Sequence, residues 1–424
     1  MSTTALGPAA RRTVATSCIN ALGSGFTLPF LLIYLHTVRG ISLSVTGFVL
    51  ATLGVAGVVS GPVVGTAIDR FGARRVLAAS LGVSTVGAVL LTQVGGVTSA
   101  FVAVAVSGLG GASAWPATNA LLSGVTTPEQ RSRVFAVEFT LLNAGVGLGG
   151  IVGGLLADTS RPVTFQLLYA ADAASFVLAA AVLATLPRGT GGPVAAPPGQ
   201  PGAPEGWGRV LRDRPMRWLC LLMLIVVSAG YAQLDSGFPA FATEVAGVST
   251  RVIGFAFAVN TGVIVLGQLF VLTRLEGHRR TRAIAGFGLL IACSWGLFGL
   301  SALTSHAVGA ALVVVSLGVF AVGETLWSPT GNALLNDLAP PHLRGRYNAL
   351  GSLTWQLALI VGPITSGLLL GAGHPGAYLG VLLVACAAVV VLALGLERRL
   401  TPAQNGIATA VPAPPPLPAV TAAP

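Results

Sequence analysis

The sequence predicts an all-α integral membrane protein with twelve transmembrane helices, arranged as two pseudo-symmetric six-helix bundles around a central cavity. Three observations carry this prediction: a nearly uncharged composition, twelve long apolar segments and an internal repeat. Hydrophobic residues make up 54% of the 424 residues, charged residues make up 8%, and the mean hydropathy is +0.83. Soluble domains have about 25% charged residues. So few charges cannot cover a water-facing surface, which places the chain in a bilayer.

Twelve apolar runs of about 20 residues are each long enough to cross a bilayer as a helix. The predicted spans are residues 14–35, 43–67, 76–95, 98–123, 134–157, 164–186, 216–241, 251–273, 281–303, 307–335, 346–370 and 376–396. The tenth run is long, and Pro329 inside it could divide the helix because proline removes a backbone hydrogen bond.

The segments outside the spans divide the chain into domains. Residues 14–186 and 216–396 are the two predicted bundles, and the Pro/Gly-rich stretch at 187–215 is the predicted cytoplasmic linker between them. Residues 1–13 form a short cytoplasmic N-terminal segment. The Ala/Pro-rich residues 397–424 are expected to be a disordered cytoplasmic tail.

All 23 basic residues are arginine, and they are unevenly divided between the two sides of the predicted membrane. Arg39, Arg161 and Arg251 fall on one side, and the other 20 fall on the side of the N-terminus. Positive residues concentrate on the cytoplasmic face of membrane proteins, so both termini are predicted to be cytoplasmic. The net charge of +10 therefore reflects topology and does not indicate a nucleic-acid partner.

A shift of 213 residues aligns the second half of the chain with the first. PATNALL at 116–122 falls on PTGNALL at 329–335, and GGIVGGLL at 149–156 falls on GPITSGLL at 362–369. One constant offset for separate matches predicts two related six-helix halves. Parallel repeats of this kind are expected of a secondary transporter with its site between the halves.

The loop between the second and third spans reads GTAIDRFGARRVL, residues 65–77. It resembles the cytoplasmic loop signature of the major facilitator superfamily, G-x-x-x-D-R-x-G-x-R/K. Five residues fill the places of the signature: Gly65, Asp69, Arg70, Gly72 and Arg74. The resemblance covers residues 14–396 and implies that this loop latches the cytoplasmic side shut in the outward-facing state. Asp69 could cap a helix or pair with an arginine there.

The fifth span carries GVGLGGIVGG, which resembles a glycine-rich element of family members that export by antiport. The matching residues are Gly145, Gly149, Gly153 and Gly154. Gly150 replaces the proline of the element, and generic close packing of helices is the alternative interpretation. Val104 stands where exporters of the family often have an arginine, so a proton relay through that arginine is not expected.

Glu324 lies near the middle of the tenth span, on one helical face with Phe320 and Trp327. An ionised carboxylate at a span centre costs about 2.5–3.5 kcal/mol, so such a residue persists where it pairs, faces water or binds a proton. The resemblance implies that spans one, four, seven and ten line the cavity. Glu324 is therefore a candidate for proton coupling or substrate binding, and a static hydrogen bond near Pro329 is the alternative.

Asp235 lies in the seventh span, with Tyr231 and Phe238 on the same helical face. A carboxylate beside aromatic rings suits a cationic or amphiphilic ligand. Asp235 is thus a second candidate for substrate or proton binding. Its position nearer the outer end of the span leaves a gate or a structural role open.

Other polar residues in the spans have weaker assignments. Asp172 is expected to make a structural hydrogen bond, and Glu138 an ion pair near the latch, five residues beyond Arg133. The residues that could add polarity to the cavity are Asn20, Ser24, Trp115, Asn119, Asn143, Tyr231, Asn260 and Trp327.

Several function classes are excluded by residue content. An ATP-driven pump needs a phosphate-binding loop with a lysine, and the chain has none. The five histidines and four cysteines show no metal-binding pattern. The chain is therefore not expected to be an enzyme or to need a metal or cofactor, and a proton gradient is the expected energy source.

The resemblance implies a proton-coupled exporter, an antiporter of small amphiphilic or hydrophobic compounds that works by alternating access. The expected partners are a small-molecule substrate, protons and the lipid bilayer, and the expected location is the bacterial inner (plasma) membrane, with the chain acting as a monomer. An importer of a nutrient or metabolite is the alternative, because Asn20, Trp115 and Asn260 would also suit a polar substrate. A third alternative is a transporter-like membrane receptor that binds a compound without transporting it.

Overall fold

The computed structural model is helical throughout the part of the chain that it describes, with no strand there. The described residues are 7–187, 189–192, 207–275, 277–340 and 343–407. The middle of the predicted linker, residues 193–206, and the end of the predicted tail, residues 408–424, lie outside the described residues.

Twelve helices of the described chain are long and apolar enough to cross a membrane, and we number them α1 to α12. Their bounds are α1 Pro8–Val38, α2 Leu43–Phe71, α3 Ala73–Thr92, α4 Val97–Gly124, α5 Pro128–Leu156, α6 Pro162–Ala184, α7 Arg214–Leu234, α8 Thr250–Leu275, α9 Arg280–Ser301, α10 His306–Leu338, α11 Arg344–Gly371 and α12 Pro375–Glu397. A short helix, Trp207–Arg212, precedes α7. The predicted fold class and the predicted number of spans are confirmed.

Proline and glycine set several helix ends. Pro8, Pro162 and Pro375 begin α1, α6 and α12, where a missing backbone N–H breaks no hydrogen bond. Gly72 separates α2 from α3 with a φ of +87°, a conformation that residues with a side chain rarely adopt. Its N–H donates to the carbonyl oxygen of Ile68 at 2.8 Å and closes the last turn of α2.

α10 runs unbroken through Pro329, so the division that the sequence suggested does not occur. The hydroxyl of Thr330 donates to the carbonyl oxygens of Leu326 and Trp327 at 2.6 and 3.1 Å. Proline at 329 removes the helical donor to the carbonyl oxygen of Thr325, so these bonds stabilise the adjacent turn and do not replace the bond that is lost.

The two bundles, α1–α6 and α7–α12, meet on one side of the protein. We call this the arginine-poor side, because it carries Arg39, Arg161 and Arg251, and the opposite side the arginine-rich side. α2 packs against α11 and α5 packs against α8. A Cβ atom on Gly154 would lie 2.9 Å from the Cα of Gly254, so glycine is what allows this close approach of α5 to α8.

Polar contacts also join the bundles on the arginine-poor side. Thr250 donates from Oγ1 to the carbonyl oxygen of Ala157 at 2.8 Å, and Ser44 donates from Oγ to that of Gly367 at 3.2 Å. Near the end of α1, His36 Nε2 lies 3.9 Å from a carboxylate oxygen of Glu244. Helix packing and hydrogen bonds together close this side.

On the arginine-rich side the bundles separate. Gly61 and Gly65 lie on the same face of α2 as Gly54, which packs against α11, yet a Cβ atom on either would have no neighbour within 4 Å. The contacts of Arg74 are with its own bundle, where it donates to the carbonyl oxygens of Ala184 and Pro187 at 3.0 and 2.9 Å. The space between the bundles therefore opens toward the arginine-rich side.

The first part of the predicted disordered tail is ordered. Asn405 folds back onto the start of α9, where its side-chain Oδ1 accepts a hydrogen bond from the Thr281 N–H at 3.0 Å. Glu397, at the end of α12, pairs with Arg279 and Arg282 of the same region. Ion pairs and a cap on α9 hold residues 397–407, which the Ala/Pro content alone did not indicate.

Replacing Gly154 by valine should open the arginine-poor side, because a side chain there collides with α8. We expect spin labels on cysteines at Val163 and Ser249, in a chain whose native cysteines are replaced, to move apart in electron–electron resonance measurements. Gly82→Val is the matched control, since a Cβ atom on Gly82 has no neighbour within 4 Å. An unchanged distance distribution in Gly154→Val would contradict this account of the closure.

Candidate functional site: a carboxylate-lined cavity

A cavity of about 440 Å³ lies between the bundles. Four of the predicted site residues form part of its wall, namely Asn20, Ser24, Trp115 and Asp235. Two further carboxylates, Glu138 and Asp172, also lie in the wall. None of the described residues in the wall carries a positive charge. The cavity therefore combines negative groups with a largely apolar lining.

Asp235 reaches the cavity because α7 is interrupted beside it. The helix passes through a π-helical turn at Val227–Tyr231, and residues 235 and 236 form a turn before a further helix, Gly237–Glu244. Irregular backbone at membrane depth is tolerated where it lines a cavity. The interruption thus places a carboxylate in the cavity wall, as the sequence predicted for Asp235.

Gln233 compensates for the break in α7. It is buried, and its Nε2 donates to the carbonyl oxygen of Ser228 at 2.7 Å. Its Oε1 accepts a hydrogen bond from the Tyr378 hydroxyl of α12 at 2.9 Å. One side chain therefore satisfies a backbone group of α7 and ties the broken helix to α12.

Glu324 lies half-buried between α8 and α10 and is not among the residues that line the cavity. Asn260 of α8 donates from Nδ2 to Glu324 Oε2 at 2.7 Å. Tyr231 of α7 packs against Phe320 and Trp355 with ring centroids 6.3 and 5.2 Å apart. The structure thus joins the predicted residues Glu324 and Asn260 directly, within the C-terminal bundle.

Two aromatic residues expected on the cavity face are instead buried within the C-terminal bundle. Trp327 is 5% exposed and packs against Phe287 of α9, with ring centroids 5.8 Å apart. Phe238 stacks on Phe298 of α9 at 4.8 Å. The turn at residues 235 and 236 breaks the helical period, so Phe238 does not share the face of Asp235.

Two predicted asparagines also lie outside the cavity wall. Asn143 donates from its side chain to the carbonyl oxygen of Phe139, four residues earlier in α5, at 2.8 Å. Asn119 is half-buried in α4. Neither residue lines the cavity.

Sequence reasoning underrated the two carboxylates of the N-terminal bundle. Asp172 of α6 accepts a hydrogen bond from Thr27 Oγ1 at 3.0 Å, and Glu138 of α5 accepts one from Ser17 Oγ at 3.0 Å. Both donors belong to α1. The expected hydrogen bond of Asp172 is present, and its carboxylate also lines the cavity. The ion pair expected for Glu138 involves Arg133, whose side chain is not among those described. The signal in the sequence is the presence of an acidic residue inside an apolar span, which persists where it pairs, faces water or binds a proton.

The loop signature lies away from the cavity, at the arginine-rich end of α2. Asp69 is exposed, and Arg70 lies over the ring of Phe71 at 5.4 Å. Gly65 is also exposed, with room for a side chain. Since the bundles are apart on this side, the loop has no role in closing the present conformation.

The glycines of α5 serve two packing surfaces. Gly145, Gly149 and Gly153 face α1, where a Cβ atom on Gly149 would lie 2.3 Å from the carbonyl oxygen of Leu22. Gly154 instead faces Gly254 of α8 in the other bundle. α5 therefore packs closely on both bundles through residues without side chains.

Residues 13–328 match the family description of the Major Facilitator Superfamily, over most of the helical region described above. The chain belongs to this superfamily. It is therefore a multi-pass membrane protein and a secondary transporter, and not an enzyme, as the sequence predicts.

Relatives with named activities are similar over most of their length. Multidrug resistance protein 1 of Bacillus subtilis (strain 168) is 24% identical over 82% of this chain and 86% of its own. A Na(+), Li(+), K(+)/H(+) antiporter of Planococcus maritimus is 28% identical over 80% and 84%. The crystal structure of a D-xylose-proton symporter matches with a TM-score of 0.71 and 15% identity, over 92% of this chain and 98% of that one. That structural likeness concerns the fold.

Replacing Gln233 by leucine should destabilise the protein, because the carbonyl oxygen of Ser228 and the hydroxyl of Tyr378 would lose a buried partner. We expect the free energy of unfolding to fall by about 1–3 kcal/mol for each group left unpaired. Unfolding followed by intrinsic fluorescence in detergent measures it. Gln93→Leu, at an exposed position, is the control. Equal stability of the two variants would show that Gln233 does not support the break.

Proposed function

We propose that the chain is a proton-coupled exporter, an antiporter that moves small amphiphilic or hydrophobic compounds out of a bacterial cell by alternating access. One observation carries the proposal: carboxylates and apolar side chains line the cavity, with no positive charge among its described lining residues. Such a surface suits compounds with an apolar body and a positive or polar head. The names of the multidrug resistance protein and the cation/proton antiporter support export and proton coupling.

Glu324 is the proposed proton-coupling residue, with Asp235 as the second candidate. Glu324 has an amide donor, Asn260, and is half-buried away from the cavity wall, so a proton can occupy it while a substrate occupies the cavity. Binding a proton also removes the cost of holding a charge in the membrane. One charge crossing about 100 mV supplies about 2.3 kcal/mol. On this proposal the proton gradient is the energy source and no cofactor is needed.

The proposal assigns the arginine-rich side to the cytoplasm of a bacterial inner membrane, with both termini there and the chain acting as a monomer. The conformation described above is then inward-facing. In the outward-facing conformation the arginine-rich ends of the two bundles must approach each other. Asp69 is exposed here and is available to form a contact with the other bundle in that state. This is the proposed role of the loop at 65–74.

Glu324→Gln should abolish proton-driven export, because glutamine cannot carry a proton, while substrate binding persists. Flux in proteoliposomes with an imposed pH gradient and a panel of fluorescent cationic and neutral amphiphiles measures this. We expect a fall of at least roughly tenfold, and a smaller one for Asp235→Asn. Asp337→Asn is the control, since Asp337 pairs with Arg280 on the arginine-rich side, away from the cavity.

Three results would contradict the proposal. An export rate of the unchanged protein that is the same with and without a pH gradient would contradict proton coupling. Gradient-driven uptake of polar nutrients by intact cells, without export of amphiphiles, would favour the importer. Binding without any flux would favour a receptor.

A further inference from the structure

One lobe of the cavity contains polar atoms that the proposed proton chemistry does not use. We call it the α6 lobe and define it by Thr27, Tyr169 and Asp172, which all line the cavity. Asp172 Oδ2 accepts the hydrogen bond from Thr27. Ser175 Oγ lies 3.4 Å from Oδ1, but its single proton points to the carbonyl oxygen of Asp172, 2.7 Å away. Oδ1 is therefore not committed to a described donor; it lies beside Gly23 of α1, and the carboxylate as a whole forms part of the cavity wall.

Tyr169 lies one helical turn before Asp172 and on the same face of α6. It is 1% exposed, and its hydroxyl has no hydrogen-bond partner among the described residues. Buried polar groups are nearly always paired, so an unpaired hydroxyl in a cavity wall indicates a missing partner. Because Tyr169 and Asp172 both line the cavity, a ligand that reaches the Asp172 carboxylate would also reach the neighbourhood of this hydroxyl.

The surroundings of the α6 lobe select the chemistry of that ligand. Leu28, Leu91 and Phe176 line the same cavity and give it apolar walls. The other ionisable side chains in the wall are the carboxylates of Glu138 and Asp235. A negatively charged ligand would face repulsion from all sides, whereas a positive one would be attracted.

An arginine is close to the lobe but is shielded from it. Arg39 donates from Nε to the hydroxyl of Tyr34 at 2.9 Å and lies over the Tyr34 ring. That ring packs against Tyr169 with centroids 5.0 Å apart. Because the guanidinium is already bonded behind Tyr34, it does not neutralise Asp172 by direct contact.

We infer that the α6 lobe is the binding site for an ammonium head group of the transported compound. The ammonium donates one hydrogen bond to the carboxylate of Asp172 and another to the hydroxyl oxygen of Tyr169. The apolar body of the compound lies along Leu28, Leu91 and Phe176. The inference deepens the proposed function by naming the substrate class and by placing the cation site in the N-terminal bundle. The proton site, Glu324, lies in the other bundle.

Equilibrium binding to the full-length protein in nanodiscs, without a gradient, tests this inference. The probes are dansylcadaverine, which carries a primary ammonium, and N-acetyl-dansylcadaverine, which has the same fluorophore and no charge. We expect Asp172→Asn to weaken dansylcadaverine binding roughly tenfold and Tyr169→Phe about threefold, as loss of hydrogen bonds with a charged group would do. Binding of the acetylated probe should change little in either variant. Asp337→Asn is the control for loss of a carboxylate elsewhere.

Tyr169→Phe keeps the test decisive if Asp172→Asn does not fold, because removing an unpaired hydroxyl leaves no other group without a partner. Selective loss of dansylcadaverine binding in this variant supports the inference. Unchanged affinity for both probes, or an equal loss for both, overturns it. Because binding is measured without a gradient, the inference can fail while proton-driven export persists. It can also hold when export is not proton-driven, so the two failures are distinguishable.

Discussion

The fold depends on one constraint, which is that a polar group inside a bilayer must find its partner within the protein. Three of the four carboxylates inside the spans accept a hydrogen bond from another helix: Glu138 from Ser17, Asp172 from Thr27 and Glu324 from Asn260. Asp235 differs because it lies at a break in α7 that faces the cavity. Each carboxylate is thus held by its donor or by its access to the cavity.

The same constraint links the functional groups to the helices that must move. α1 supplies the donors for both Glu138 and Asp172, and it packs against the glycines of α5. α5 in turn meets α8 through Gly154, and α8 carries Asn260, the partner of Glu324. A chain of direct contacts therefore connects the carboxylates of the two bundles. Any change in the α5–α8 crossing acts on elements that hold both.

The number of spans and the cavity position of Asp235 could be predicted from the sequence, because apolar length and an isolated charge are local signals. Which residues of each helix face the cavity could not be predicted from the sequence. A uniform helical period places Phe238 beside Asp235, but the turn between them moves Phe238 into the packing against Phe298. The sequence predicts only a structural hydrogen bond for Asp172, since the resemblance implies that spans one, four, seven and ten line the cavity and Asp172 is in the sixth. Only the packing of α6 beside α1 shows that the Asp172 carboxylate both accepts a hydrogen bond and lines the cavity.

The separation of the carboxylates has a consequence for coupling. If the proton and the substrate cation competed for one carboxylate, binding of one would displace the other, and this competition alone would couple their transport. Asp172 and Glu324 instead lie in different bundles, each with its own donor. On the proposals made above, binding at one must therefore influence the other through the relative position of the bundles, which alternating access changes. Coupling then depends on the glycine contacts between α5 and α8 as well as on the carboxylates.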